Sequence, residues 1–172
     1  SPTEALNKGF FWEQSLFSYD VWCKDVLSFL KNDTYKWDFK GLSQLDSINW
    51  NDTFLKIQTD KWDWDYLSEF SGCFRKSEKL SSRFKIFSRY INYQILSKRT
   101  DSEITEKLLS ENIDKNWDWD VLSENNSVKI NIEFIKNNKE KQWNWSALST
   151  RNDIELNNET LIELSDKAWN WE

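Results

Sequence analysis

"KWDWDYLSEF", residues 61–70, sets two tryptophans around an aspartate and follows them with Leu-Ser. The pattern returns as "NWDWDVLSEN" at 116–125 and "QWNWSALSTR" at 142–151, and "AWNWE" at 168–172 opens it again. Such a run is either a chemical tool used many times or a joint used many times. The spacing and the neighbouring residues separate these readings.

Anchored on the first Trp, copies begin at Trp37 ("WDFKGLS"), Trp62, Trp117, Trp143 and Trp169. A degenerate copy at Ile91, "INYQILS", aligns with "WDWDYLS" residue by residue and makes the steps 25, 29, 26, 26 and 26 residues. A weaker copy near Phe11 ("FWEQSLFS") lies 26 residues before Trp37. Six or seven units, starting near 11, 37, 62, 91, 117, 143 and 169, therefore cover residues 1–172 as one repeat domain. Between motifs run apolar-periodic stretches such as "EITEKLLSENIDK" (103–115) and "INIEFIKNNKEK" (130–141). Ile104, Leu108 and Leu109, then Ile130, Phe134 and Ile135, recur at helical offsets. Each stretch is long enough for about three turns.

The motif itself reads as a helix start. Asp63 takes the N-cap, where Asp and Asn accept bonds from backbone N–H groups that lack an intrahelical partner. Trp62 and Leu67 then stand at the two ends of a hydrophobic staple, and Asp65 falls where negative charge suits the helix dipole. In the copy at 143 Asn144 takes the cap, Trp143 faces Leu148 and Ser146 replaces the second acid. The first Trp fixes the entry angle, and the second is expected to pack on an adjoining unit. Trp37, Trp62, Trp64, Trp117, Trp119, Trp143, Trp145 and Trp169 are thus structural anchors expected in the core. Trp12, Trp22 and Trp50 lie outside the clear motif, and Trp50 is expected to pack where Ile104 and Ile130 pack later.

With 3 Gly and 1 Pro among 172 residues, a hairpin-rich β fold is disfavoured. Leu, Lys and Glu favour helix, while Asn and Ser favour the caps between short helices. The expected fold is all-α: an α-solenoid of about 26-residue helix-pair repeats, each a short helix, a turn and a longer helix. Units this small bury an apolar face only by stacking. A right-handed, curved stack follows by analogy with other α-solenoids.

The pattern W-[DN]-W-x-x-L-S, then a helix ending in D-K, resembles the short Trp-rich tandem repeats of many uncharacterised bacterial proteins and some giant-virus proteins. The matching residues are Trp62, Asp63, Trp64, Leu67 and Ser68, with Trp117 to Ser123 and Trp143 to Ser149 in the same register. The resemblance covers most of the chain, although the unit at 91–116 lacks both tryptophans. It implies a helical repeat array and transfers no activity.

Catalysis, metal and cofactor chemistry find little support. The chain has 0 His, the commonest general base. Gly9, Gly41 and Gly72 are isolated, so no Gly-rich phosphate loop exists. Asp63 with Asp65 and Asp118 with Asp120 invite a hard cation, yet later copies carry Asn144 with Ser146 and Asn170 with Glu172. Capping tolerates that drift and a cation site does not. No catalytic residue, metal ligand or cofactor is expected. Cys23 and Cys73 have no metal or redox spacing and read as two reduced thiols of a cytoplasmic protein. No apolar run approaches about 18 residues, so no membrane span is expected, and no signal peptide is visible. The sequons at Asn32, Asn51, Asn125, Asn144 and Asn158 are those expected by chance. The absence of Met and the unfinished motif at the end suit a fragment of a larger protein.

One segment breaks the pattern. Residues 75–99 carry Arg75, Lys76, Lys79, Arg83, Lys85, Arg89, Lys98 and Arg99 against Glu78 alone, net +7, in a chain of net charge −6. The rest of the chain therefore carries −13. Leu80, Phe84, Phe87 and Ile91 form one helical stripe there. The eight cations are the candidate partner-binding residues, facing an acidic surface or a phosphate backbone; the alternative is a solvated face neutralised by acidic neighbours. Two functions stay open. One is a non-catalytic protein-interaction or scaffold module that holds a protein or peptide on a concave face. The other is a nucleic-acid-sensing or nucleic-acid-positioning module using the basic segment, against which the acidic balance counts. A structural spacer between other domains is a third outcome.

Overall fold

The computed structural model describes residues 30–31, 38–44, 50–75 and 80–170. The expected unit near residue 11, Trp12, Trp22, Cys23, Trp37, Lys76, Lys79 and residues 171–172 lie outside the described residues. Among the described residues the elements are helical and none is a strand; Thr105 and Lys129 form one isolated parallel bridge. The all-α class expected from composition is what the chain adopts. The contacts group it into two compact units, Ser1–Leu67 with Ser71–Cys73, and Ser68–Phe70 with Phe74–Glu172.

In chain order the helices are α1 (Phe39–Ser43), α2 (Asp52–Leu55), α3 (Trp64–Glu69), α4 (Leu80–Phe87), α5 (Tyr93–Leu96), α6 (Glu106–Glu111), α7 (Trp119–Glu124), α8 (Ile132–Asn137), α9 (Trp145–Ser149) and α10 (Asn158–Glu163). The motif supplies the start of every second one. Asp38, Asn92, Asp118 and Asn144 are the N-caps of α1, α5, α7 and α9, and each side chain accepts from the third helical amide. Asp63 Oδ1 likewise accepts from the Tyr66 amide at 3.1 Å. Asn does this work as well as Asp, which explains the drift at this position.

The intervening helices are shorter than the periodicity predicts. Instead of about three turns, α2, α6, α8 and α10 hold 4, 6, 6 and 6 residues. Polar side chains cap all four at the start, and cut α6 and α8 at the far end as well. Asn51, Thr105, Asn131 and Asn157 cap the starts late in each stretch. At the far end Asn112 Nδ2 donates to the Leu108 carbonyl at 2.9 Å, and Asn138 Nδ2 donates to that of Phe134 at 2.8 Å. A side chain that takes the carbonyl four residues back competes with continuation of the helix.

The motif serine joins one copy to the next. In the first compact unit, Ser43 Oγ donates to the Phe39 carbonyl at 2.8 Å and accepts from the Asp63 amide at 3.0 Å. In the second, Ser97, Ser123 and Ser149 donate to the carbonyls of Tyr93, Trp119 and Trp145 at 2.8, 2.7 and 2.8 Å. They accept from the amides of Asp118, Asn144 and Asn170 at 3.1, 3.0 and 3.0 Å. Ser68 Oγ accepts from the Asn92 amide at 3.1 Å, so the Ile91 copy sits in the same register. One hydroxyl thus closes its own helix and holds the cap amide about 21 residues ahead in the regular copies.

Ser123→Ala removes both bonds and leaves the part-buried Asn144 amide without its acceptor. The expected loss is about 1–3 kcal/mol in urea unfolding. Glu140→Ala, at an exposed position, is expected to stay within about 0.5 kcal/mol. Equal small effects from the two variants would remove the serine's bridging role.

Candidate functional site: the indole seams and the basic segment

The described motif tryptophans are buried. Trp62, Trp64, Trp117, Trp119, Trp143, Trp145 and Trp169 are 4 to 9% exposed. They are therefore not stacking platforms for sugars or bases, which need an open ring face.

The first Trp of a copy closes the helix before it. Trp117, Trp143 and Trp169 each donate their indole N–H to the carbonyl five residues back, Asn112 at 3.0 Å, Asn138 at 2.9 Å and Leu164 at 2.8 Å. Those acceptors are the C-caps of α6, α8 and α10, where carbonyls have no intrahelical partner. In the other compact unit Trp62 does the same to Ile57 at 2.9 Å. Trp50, expected to pack as Ile104 and Ile130 do, is buried immediately before a cap residue as they are, and lies edge-on to Trp62 with ring centroids 5.3 Å apart.

The third motif position carries the aromatic that meets the next copy. Trp119 packs on Trp143 at 4.8 Å and Trp145 on Trp169 at 5.1 Å, both edge-on. Tyr93 fills this place in the degenerate copy, 4.9 Å from Trp117. Phe39 fills it in the first compact unit, 4.8 Å from Trp62. Edge-on aromatic pairs contribute about 0.5–1.5 kcal/mol beyond area burial. A lysine before the first Trp adds a cation over the same ring. Lys61 lies 5.7 Å from Phe39, Lys141 5.5 Å from Trp119 and Lys167 5.8 Å from Trp145. Tyr93 and Phe39 were hidden as anchors because they are not Trp, although the alignment places both. Burial pushes the Tyr93 phenol up to about 12.

A third tie sits two residues after the motif serine, and no sequence motif announced it. Arg99 Nη1 donates to the Ser68 carbonyl at 3.3 Å. Asn125 Nδ2 donates to the carbonyls of Ser97 and Arg99 at 2.9 and 2.8 Å. Arg151 Nη2 reaches the Val128 carbonyl at 2.8 Å. Each is a buried polar arm laid across the backbone of the preceding copy. Both arginines are neutralised by a carboxylate two residues on, Arg99 by Asp101 and Arg151 by Asp153, each through two bonds of 2.7 to 2.9 Å. Hydrogen bonding from Arg99, opposed in part by burial and reinforced by Arg75, holds the Asp101 carboxyl below its ordinary range. Arg151 does the same to Asp153.

The basic segment is divided by the fold. Leu80, Phe84, Phe87 and Ile91 form the buried stripe expected of them. Arg83 and Arg99, read from sequence as outward cations, are 6 and 7% exposed, because Arg83 lies on the packed side of α4 and Arg99 is one of the polar arms. Arg75 is exposed and shares Asp101 with Arg99. Lys85, Arg89 and Lys98 are exposed, with the Arg89 guanidinium 4.6 Å from the Tyr90 ring centre. Lys76 and Lys79 lie outside the described residues.

A shallow cleft beside α7 and α9 is lined by Glu124, Asn144, Ser146 and Thr150 among others. It offers hydroxyls and one carboxylate, with no imidazole anywhere in the chain to activate them. Among the described residues no three His, Cys, Asp or Glu side chains converge as metal ligands, and no helix is long and apolar enough to cross a membrane. Cys73 is a buried thiol beside the Ser71 hydroxyl.

Trp119→Ala is expected to cost about 3–5 kcal/mol in chemical denaturation; a near-neutral shift would mark that ring as dispensable to the core. The ion pairs set the acid limb of stability. A carboxyl whose folded pKa is depressed contributes stability above its unfolded value, about 3.9, which is lost as pH falls through the folded value. Unfolding free energy measured from about pH 6 to about pH 2 should therefore fall, and Asp153→Asn should start lower and flatten that fall. A variant curve parallel to the parent's would remove the Arg151–Asp153 pair as its source. No family model, no curated protein and no solved structure matches this chain.

Proposed function

We propose that this chain is a non-catalytic interaction or scaffold module. In this reading Trp-anchored helix pairs of about 26 residues stack as an α-solenoid and present their outer positions to a protein or peptide partner. The kinship suggested by the W-[DN]-W-x-x-L-S pattern belongs to the same proposal.

One observation carries the reading: recurring residues lie inside and varying residues lie outside. The motif Trp, Leu and Ser side chains fill seams and close helix ends. At the fourth motif position Asp65, Gln94, Asp120 and Ser146 are all exposed and differ in charge. The position after the motif serine holds Glu69, Lys98, Glu124 and Thr150, again all exposed. A fixed frame with a variable face suits recognition, and one reactive group per unit is not what varies. The buried Cys73 thiol suits a reducing, cytoplasmic setting. The nucleic-acid alternative is left with Lys85, Arg89, Lys98 and Arg75 as its exposed cations among the described residues.

Immobilised chain is expected to retain a protein in a nuclease-resistant manner. Asp120→Lys with Glu124→Lys should lower that retention several-fold while the chain stays folded, with a loss of about 1–2 kcal/mol in unfolding free energy from the first-turn charge at Asp120. Retention abolished by nuclease and by Lys85→Glu with Arg89→Glu would transfer the function to nucleic acid. A chain that retains nothing would be a spacer.

A further inference from the structure

Among the described residues three large apolar side chains stand exposed, Phe70, Ile86 and Ile162. Two of them sit on helices of opposite charge. Ile86 is 42% exposed on α4, with Lys85 beside it and Arg89 three residues on, both exposed. Ile162 is 74% exposed on α10, with Glu159 three residues before it on the same helix and Asp166, in the turn after the helix and paired with Lys167 at 3.0 Å, four residues after, both exposed. Glu159 and Ile162, three apart within α10, share a helix face, while Lys85 flanks Ile86, and Arg89 and Asp166 follow in the turns after their helices.

The α10 face departs from the pattern of its own chain. The fifth residue of α6 is Ser110 and that of α8 is Lys136, whereas that of α10 is Ile162. The fourth residues Leu109 and Ile135 are 0% exposed, while the equivalent Leu161 is only half-buried. An isoleucine thus stands at an outward position that earlier copies give to polar groups, over a leucine that earlier copies cover. Residues 152–167 carry five acids against Lys167, and residues 75–99 carry net +7.

We propose that α10 of one molecule docks on α4 of a second copy, with Ile162 against Ile86 and the carboxylates of Glu159 and Asp166 facing Lys85 and Arg89. This rests on the interaction-module reading and names its partner. Two α10 faces repel each other, as do two α4 faces, so each contact joins unlike faces. Each copy offers one face of each kind, so association either closes as a two-fold dimer with two reciprocal contacts or runs on head to tail. Glu163 is engaged by Lys136 at 2.9 Å within its own molecule and is left out of the contact. With one isoleucine on each side the contact is small, so it is weak and salt-sensitive.

Sedimentation velocity on the intact chain tests this. The mean mass is expected to rise with concentration up to about 0.5 mM at low salt, and to fall to that of the monomer in about 0.5 M salt, where the screening length is only a few ångströms. Lys85→Glu with Arg89→Glu, and separately Glu159→Lys with Asp166→Lys, should each be monomeric with unchanged melting. Each mixed contact then pairs opposite charges, so an equimolar mixture of the two variants should recover association. A monomer at all concentrations in low salt overturns the proposal. So does association that survives either double variant, or a mixture that stays monomeric. A monomeric chain that still retains a protein partner sinks the α10–α4 contact and leaves the interaction-module reading standing.

Discussion

A six-residue helix cannot satisfy its own backbone. Its first four N–H and last four C=O groups have no intrahelical partner, so nearly every peptide group of α7, α8 or α10 needs help from outside. Nucleation alone makes such helices unstable in water. Each recurring residue type answers one part of this. The cap Asp or Asn takes the third amide. The first Trp supplies a donor to the C-cap carbonyl of the helix before it. The serine hydroxyl takes the carbonyl four residues back and the cap amide of the copy ahead.

This explains why the first motif position is Trp and not merely large. Phe or Leu would fill the space but bring no N–H. The degenerate copy is informative here. Ile91 is buried and has no side-chain donor, and the helix before it is α4, at 8 residues the longest described. A longer helix closes more of its own carbonyls, and the Ile91 amide itself donates back to Phe87 at 3.3 Å. Losing the indole and gaining about half a turn of helix, 8 residues against 6, go together. The 29-residue step between Trp62 and Ile91 is the trace of that exchange in the sequence.

Local features were legible from residues alone. The caps at Asp63, Asp118 and Asn144 need only the four residues that follow them, and the burial of the indoles follows from their recurrence once per unit. The register of the Ile91 copy was also readable, because capping and apolar positions survive there without tryptophan. Features that join residues more than about 20 apart were not legible. Nothing local reveals that Ser97 meets the Asp118 amide, or that Arg99 and Arg151 turn inward to read backbone carbonyls. A lysine- and arginine-rich stretch looks uniformly exposed until its helix has a packed side, which is why Arg83 and Arg99 read as surface cations. The helix lengths were misread for a related reason: apolar periodicity continues past the point where an asparagine side chain takes over the carbonyl.

These ties bear on what the outer surface can do. Short helices held together only by apolar contact resist sliding poorly, because such contact is non-directional. Here the serine bond, the indole bond and the polar arm are all directional and all fall on backbone groups, which every residue possesses. The frame therefore makes no demand on the outward side chains. Those positions change from Asp to Gln to Asp to Ser along the chain while the cap bond beneath them is kept in each copy. The same freedom lets the helix Leu80–Phe87 carry an outward Lys85 and the helix Asn158–Glu163 an outward Glu159. Of the cations that give residues 75–99 their net +7, Arg83 and Arg99 are taken up inside the frame, and only Arg75, Lys85, Arg89 and Lys98 are outward among the described residues, so sequence charge and surface charge differ here by the arginines that the packing consumes.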